Sequence, residues 1–129
     1  MSSTNPISIR VLIIDDHQII RKAFVNALSA EKDFQIVAET DNGESALLLA
    51  RSVQPDVIIM DVGFPKMMGI DIARKILAEN PKIKVIGMSL YDDTEMIQQI
   101  KDAGVVAYFN KGNAFERIFE IIRNAVCKY

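Results

Sequence analysis

The 129-residue sequence predicts an α/β fold, a doubly wound parallel sheet of five strands with helices on both faces. Three features predict it. Short apolar runs rich in β-branched residues alternate five times with segments of helical period, at short and regular spacing. The third run, Val57-Ile58-Ile59-Met60, has no polar position, as expected of a strand buried on both faces. Four of the five runs finish in groups with chemical potential: Asp15-Asp16, Asp61, Ser89 and Lys111. Strands joined by right-handed crossovers end on one rim, where open α/β sheets put their chemistry.

Taken in order, Met1 to Ser8 is rich in Ser, Thr, Asn and Pro and is expected to be a flexible segment before a single domain, residues 9–127. Ile9 to Ile14 reads as a buried strand interrupted only by Arg10. From His17 the period changes, and Ile20, Phe24, Ala27 and Leu28 make one helical face. Phe34 to Thr40 is short and half alternating, which suits an edge strand. Asn42-Gly43 is turn chemistry ahead of a helix over Glu44 to Val53, rich in Ala and Leu. Pro55 to Asp61 holds the central strand, broken by Gly63 and Pro65. Gly69 opens a helix to about Asn80, where Pro81 forbids continuation.

Ile83 to Met88 is the fourth strand and ends in Ser89. Asp92-Asp93-Thr94 offers N-caps for a helix that carries Met96, Ile97 and Ile100 and stops at Gly104. Val105 to Phe109 is the fifth strand. A last helix from about Asn113 to Cys127 puts Phe115, Phe119, Ile122 and Val126 on its core face. Ile118 and Ile121 widen that stripe, either as an interface or as a broad buried face.

Composition excludes several classes. Hydrophobic residues at 50% and charged residues at 25% are ordinary globular values, and a net charge of −2 leaves no footprint for nucleic acid. The single Cys127 excludes an intrachain disulfide and fits a reducing compartment. No apolar run approaches the ~18 residues of a membrane span, and the first residues are too polar for a signal peptide. These features predict a cytoplasmic protein with no membrane partner.

If the strand ends converge, Asp15, Asp16 and Asp61 repel one another, and one lysine under-compensates three acids. A divalent cation with oxygen ligands resolves the charge, and Mg²⁺ takes one or two carboxylates, waters and a phosphate oxygen. Lys111 and the Ser89 hydroxyl then supply donors for further phosphate oxygens. The set suits phosphoryl transfer to a carboxylate. Asp61, alone after its strand, is the candidate nucleophile; the adjacent Asp15 and Asp16 are the candidate metal-holding pair.

These residues resemble a family. Asp15-Asp16, the spacing Asp61 to Pro65 to Gly69, Ser89 and Lys111 are similar to the response-regulator receiver domain, the CheY-like fold, over about Ile9 to Val126. The wording Asp15-Asp16-His17 with Arg21 behind it, Asp33 to Glu39, and Pro55 to Asp61 looks like the NarL/FixJ branch. The resemblance implies a flavodoxin-like sheet in the order 2-1-3-4-5. It implies phosphorylation of Asp61 from a sensor histidine kinase, without enzymatic turnover of other substrates. Asp16, Asp61 and the Gly63 carbonyl would bind Mg²⁺ directly, and Asp15 through water. Ser89 and Lys111 would hold the phosphoryl oxygens, with Ser89 and Tyr108 as the switch pair.

The implied output is a changed surface for a partner or a second copy, regulating transcription through a C-terminal helix-turn-helix domain that does not follow Tyr129; the alternative is a stand-alone phosphorelay receiver. Four positions depart from the commoner receiver pattern: Gly63, Tyr91, Met68 and Gly112, the last standing where many receivers carry proline after a cis bond. A cis bond before a non-proline costs about 2.5–4 kcal/mol, so Lys111-Gly112 is expected to be trans. His17 is expected to begin the first helix facing solvent rather than to catalyse. The six methionines read as filler.

Three rivals remain. A haloacid-dehalogenase-type phosphatase needs a second acid two residues after the nucleophile, where this chain has Gly63. A flavodoxin-like carrier must cradle a flavin phosphate in its first loop, which Asp15-Asp16 would repel. A receiver that has lost phosphorylation would lack one of the key side chains, and all are present.

Overall fold

The computed structural model describes residues 8–62, 68–89, 94–112 and 117–127. Within them the chain forms β1 (Ile9–Ile14), α1 (Gln18–Ser29), β2 (Phe34–Thr40), α2 (Gly43–Val53), β3 (Val57–Asp61), α3 (Met68–Glu79), β4 (Lys84–Ser89), α4 (Thr94–Asp102), β5 (Ala107–Asn110) and α5 (Ile118–Cys127). The strands make one parallel sheet in the order β2-β1-β3-β4-β5, the predicted flavodoxin-like topology. The expected flexible segment falls on residues of which 1–7 lie outside the described set. Outside it too lie Asp92 and Asp93 as caps, Asn113 as the start of the last helix, Phe115 on its core face, and Tyr91.

Strand alternation sorts the core into two layers. Val11, Ile13, Val57 and Ile59 pack with Phe24 and Leu28 of α1 and with Ile118 and Ile122 of α5. Leu12, Ile14, Ile58 and Met60 pack with Ala46, Ile70, Ile76 and Ile100 of α2, α3 and α4. Burial of each such aliphatic side chain stabilises by about 1.5–3 kcal/mol, so β3, buried at every position, is a firm platform for the residue at its end. β2 is buried only at Phe34 and half-buried along most of the rest, as its edge position requires.

Helix ends follow local chemistry. Asn42 Oδ1 accepts the Ser45 N–H at 2.9 Å and caps α2. Gly43 allows α2 to approach α3, because a Cβ there would overlap the end of the Ile72 side chain. Gly104 follows α4 with φ at +99°, a conformation that favours glycine.

Two expectations are corrected. The core face of α5 is Ile118, Ile122 and Ala125, while Phe119 and Val126 are only partly buried at its flank. Phe119 stacks on Phe34 of the edge strand at 6.0 Å, and Arg123 lies over both rings. Ile118 is therefore core. β5 pairs from Ala107 opposite Ile86 rather than from Val105, which is buried in the α2–α4 layer before the strand begins. Other ends differ by one residue: α2 begins at Gly43, α3 spans Met68–Glu79, and β4 begins at Lys84.

Candidate functional site

The period of the strands aims the site. Val11 and Ile13 point into the α1–α5 layer, as do Ile59 and Phe109. One further step of the same period beyond each strand's inward residues gives Asp15, Asp61 and Lys111. Parallel pairing sets β1, β3 and β5 level at their C-terminal ends, so the three side chains meet above the sheet rim.

They meet closely. Lys111 Nζ lies 3.0 Å from Asp61 Oδ2 and donates to Asp15 Oδ1 at 3.0 Å. Asp15 Oδ2 is 2.9 Å from the same nitrogen. All three side chains are sealed from water, with Lys111 at 1%, Asp15 at 0% and Asp61 at 3% exposure. Together with Ser89 they are the buried polar or charged residues among those described. Ser89 ends β4, and its carbonyl accepts the Lys111 N–H at 2.8 Å, which ties the fourth strand end to the lysine. Lys111-Gly112 is trans, since the described residues contain no cis bond, and the Gly112 N–H donates to Asn110 Oδ1 at 2.8 Å.

The remaining sequence candidates are placed as follows. Asp16 stands beside the cluster at the surface, its side chain 44% exposed. Tyr108 pairs opposite Gly87 and packs, partly buried, against the α2–α4 layer. Gly63 lies outside the described residues.

Sequence reasoning missed one member. The His17 ring does not face solvent alone: Nδ1 lies 3.1 Å from Asp15 Oδ1, 3.2 Å from Asp16 Oδ1 and 3.3 Å from Asp61 Oδ2. The available signal was its position directly after Asp15-Asp16, where the chain has not yet entered the helix. Arg21, one turn into α1, donates to the Asp15 carbonyl at 2.7 Å and to Glu39 Oε1 at 2.9 Å. Burial raises the Glu39 carboxyl, but hydrogen bonds from Lys22 and Arg21 outweigh this and hold it below its ordinary value.

The donor set fits a divalent cation. Asp15, Asp16, His17 and Asp61 each offer a ligand atom, all within 4.8 Å of one another. Asp15 Oδ2 is buried and ion-paired at 2.9 Å with Lys111 Nζ, a nitrogen that also serves Asp15 Oδ1 and Asp61 Oδ2. One ammonium serving two buried carboxylates, with Asp16 beside them, leaves negative charge that a divalent cation would balance.

Comparison with known proteins bears on this site. The model of the response regulator receiver domain matches residues 11–123. The chain is 35% identical over 115 residues to the response regulator GacA of Pseudomonas aeruginosa, covering 89% of this chain and 54% of that protein. It is 32% identical over 119 residues to the transcriptional regulatory protein DegU of Brevibacillus brevis, covering 92% and 50%. The chain thus spans about half the length of these curated relatives. The signal receiver domain of the response regulator NarL from Mycobacterium tuberculosis superposes with a TM-score of 0.89 at 27% identity, covering 96% of this chain and all of that one.

Proposed function

The chain belongs to the response regulator receiver family, and from that premise we propose that it accepts a phosphoryl group on Asp61 from a sensor histidine kinase in a Mg²⁺-dependent reaction. Receivers of this family are signalling domains of two-component systems, related here to transcriptional regulators. The observation that carries the proposal is the meeting of Asp15, Asp61 and Lys111 at 2.9–3.0 Å in a buried cluster at three strand ends.

An Asp61 oxygen attacks phosphorus, forming an O–P bond as the N–P bond of the donor phosphohistidine breaks and its imidazole leaves with the electron pair. Asp15, Asp16, Asp61 and the Gly63 carbonyl are the residues that would hold Mg²⁺. When bound, the ion supplies positive charge to the transferring phosphoryl oxygens. Lys111 and the Ser89 hydroxyl donate to those oxygens. The acyl phosphate brings about −1.5 to −2 charges and three strong acceptors to the rim. Ser89 moves toward one of them, and Tyr108, on the neighbouring strand, fills the space released. The altered surface then binds a partner or a second copy. We assign this role to a domain of residues 9–127 in the cytoplasm, with DNA reached only through a separate output domain.

Incubation with Mg²⁺ and a small phosphodonor is expected to add one base-labile phosphate, read by intact mass. Asp61→Asn is expected to abolish it. Undiminished labelling in that variant overturns the assignment.

A further inference from the structure

His17 is the only histidine in the chain, and the receiver reading has no use for it. Its ring is half exposed, with 49% of the side chain open to water, so burial does not force it into the cluster. Nor does capping explain it. His17 is the N-cap of α1, with φ −89° and ψ 98°, yet its side chain makes no cap hydrogen bond to the helix. Its backbone N–H donates to Asp15 Oδ1 at 2.8 Å, which fixes the residue over the acids.

Nδ1 carries the ring's polar contacts among the described residues. Nδ1 lies 3.1–3.3 Å from an oxygen of each of three carboxylates and 2.8 Å from Lys111 Nζ. An ionised carboxylate only accepts and an ammonium only donates, so no single state of Nδ1 serves both. The conflict disappears if Nδ1 and the oxygens face one shared cation, a place that the Lys111 ammonium holds in this structure and that a divalent ion would take when bound. Nδ1 and the oxygens then all present lone pairs to it, including the buried Asp15 Oδ2, now 2.9 Å from Lys111 Nζ.

We propose that His17 Nδ1 is a nitrogen ligand to the divalent cation of this site, so that the site prefers ions that favour imidazole, such as Co²⁺, over Mg²⁺. The proposal rests on the acidic cluster being the cation site of the receiver reading. Mg²⁺ is served by oxygen ligands and gains little from an imidazole, whereas later divalent metals gain more from it. Loading requires Lys111 Nζ to leave Nδ1.

The test uses unphosphorylated, tag-free protein, in which one histidine makes assignment unambiguous. Co²⁺ titration followed by proton NMR is expected to give strongly shifted imidazole resonances from a directly bound ring. His17→Ala and the bulkier His17→Gln are expected to lower Co²⁺ affinity by at least the ~10–100-fold that loss of an outer-shell partner costs, and Mg²⁺ affinity by much less. Co²⁺ bound by the parent chain without shifted ring signals overturns the proposal, as does an unchanged Co²⁺-to-Mg²⁺ ratio in the variants. Shifted signals in a protein whose Asp61 takes no phosphate would sink only the functional reading. Phosphate uptake without those signals would sink only this one.

Discussion

Lys111 and Asp61, 50 residues apart, are held with Nζ 3.0 Å from Oδ2, both nearly sealed from water. The lysine occupies charge space that a divalent cation would otherwise fill. Removing one partner of a buried pair costs about 3–5 kcal/mol, because the other charge is left uncompensated. Lys111→Ala is therefore expected to be markedly less stable in chelator. Saturating Mg²⁺ is expected to recover more stability in the variant than in the parent, by mass action on a tighter site. Urea unfolding with and without Mg²⁺ checks this. An equal gain in both proteins would show that the lysine and the cation do not compete.

Ser89 is expected to separate chemistry from output. Ser89→Ala should still take up phosphate on Asp61 while losing the response of the β4–β5 surface. Moving an equilibrium from mostly off to mostly on takes ~5.5 kcal/mol. One charge-assisted hydroxyl contact provides roughly 1.5–3 kcal/mol, so Lys111 and the metal must supply the remainder. Sizing and amide exchange over β4 and β5, before and after phosphorylation, measure it. A response as large as in the parent protein would remove Ser89 from the switch.

Acid sensitivity should be traceable to the far side of the molecule. Hydrogen bonding by Arg123 holds the Asp33 carboxyl below its ordinary 3.8. A folded pKa below the unfolded one contributes stability that is present above pH 3.8 and lost as pH falls through the folded value. The pair is part-exposed, with Arg123 at 42% and Asp33 at 33%, so the contribution is at most about 1 kcal/mol. Asp33→Asn is expected to lower the urea midpoint slightly at pH 7, by a difference that shrinks as pH falls below 3.8. A difference that does not shrink below pH 3.8 would assign the effect to packing of Arg123 on Phe34 and Phe119 instead.

Gly104 is expected to resist substitution. Its φ of +99° is strained for any residue with a Cβ, and that atom would also come 3.0 Å from Leu77 Cδ1. Gly104→Ala should destabilise by about 1–3 kcal/mol, seen as a lower thermal midpoint with unchanged cation binding. A neutral result would mean that the α4–β5 turn relaxes into another conformation.

The element order was legible because hydrophobic period is a local property. Four apolar residues ending in Asp61 can be buried on both sides only as a central strand. The strand-end residues Asp15, Asp61, Ser89 and Lys111 were legible for the same reason, since parallel topology obliges such ends to share a rim. Helix rotation was less so. Phe119 and Ile118 are adjacent in sequence, and which of them enters the core depends on how α5 settles against Phe24, Leu28 and Phe109.

The sequence by itself determined the fold class, the topology through its family resemblance, and the residue types at the sheet rim. Only the tertiary structure decided distances and directions. It set Asp16 at the surface while burying Asp15, and it turned the His17 ring from solvent onto three carboxylates. Neither outcome has a sequence period. Each depends on where β1 gives way to α1 and on the position of β3 and β5 beside that turn, which are contacts between residues far apart in the chain.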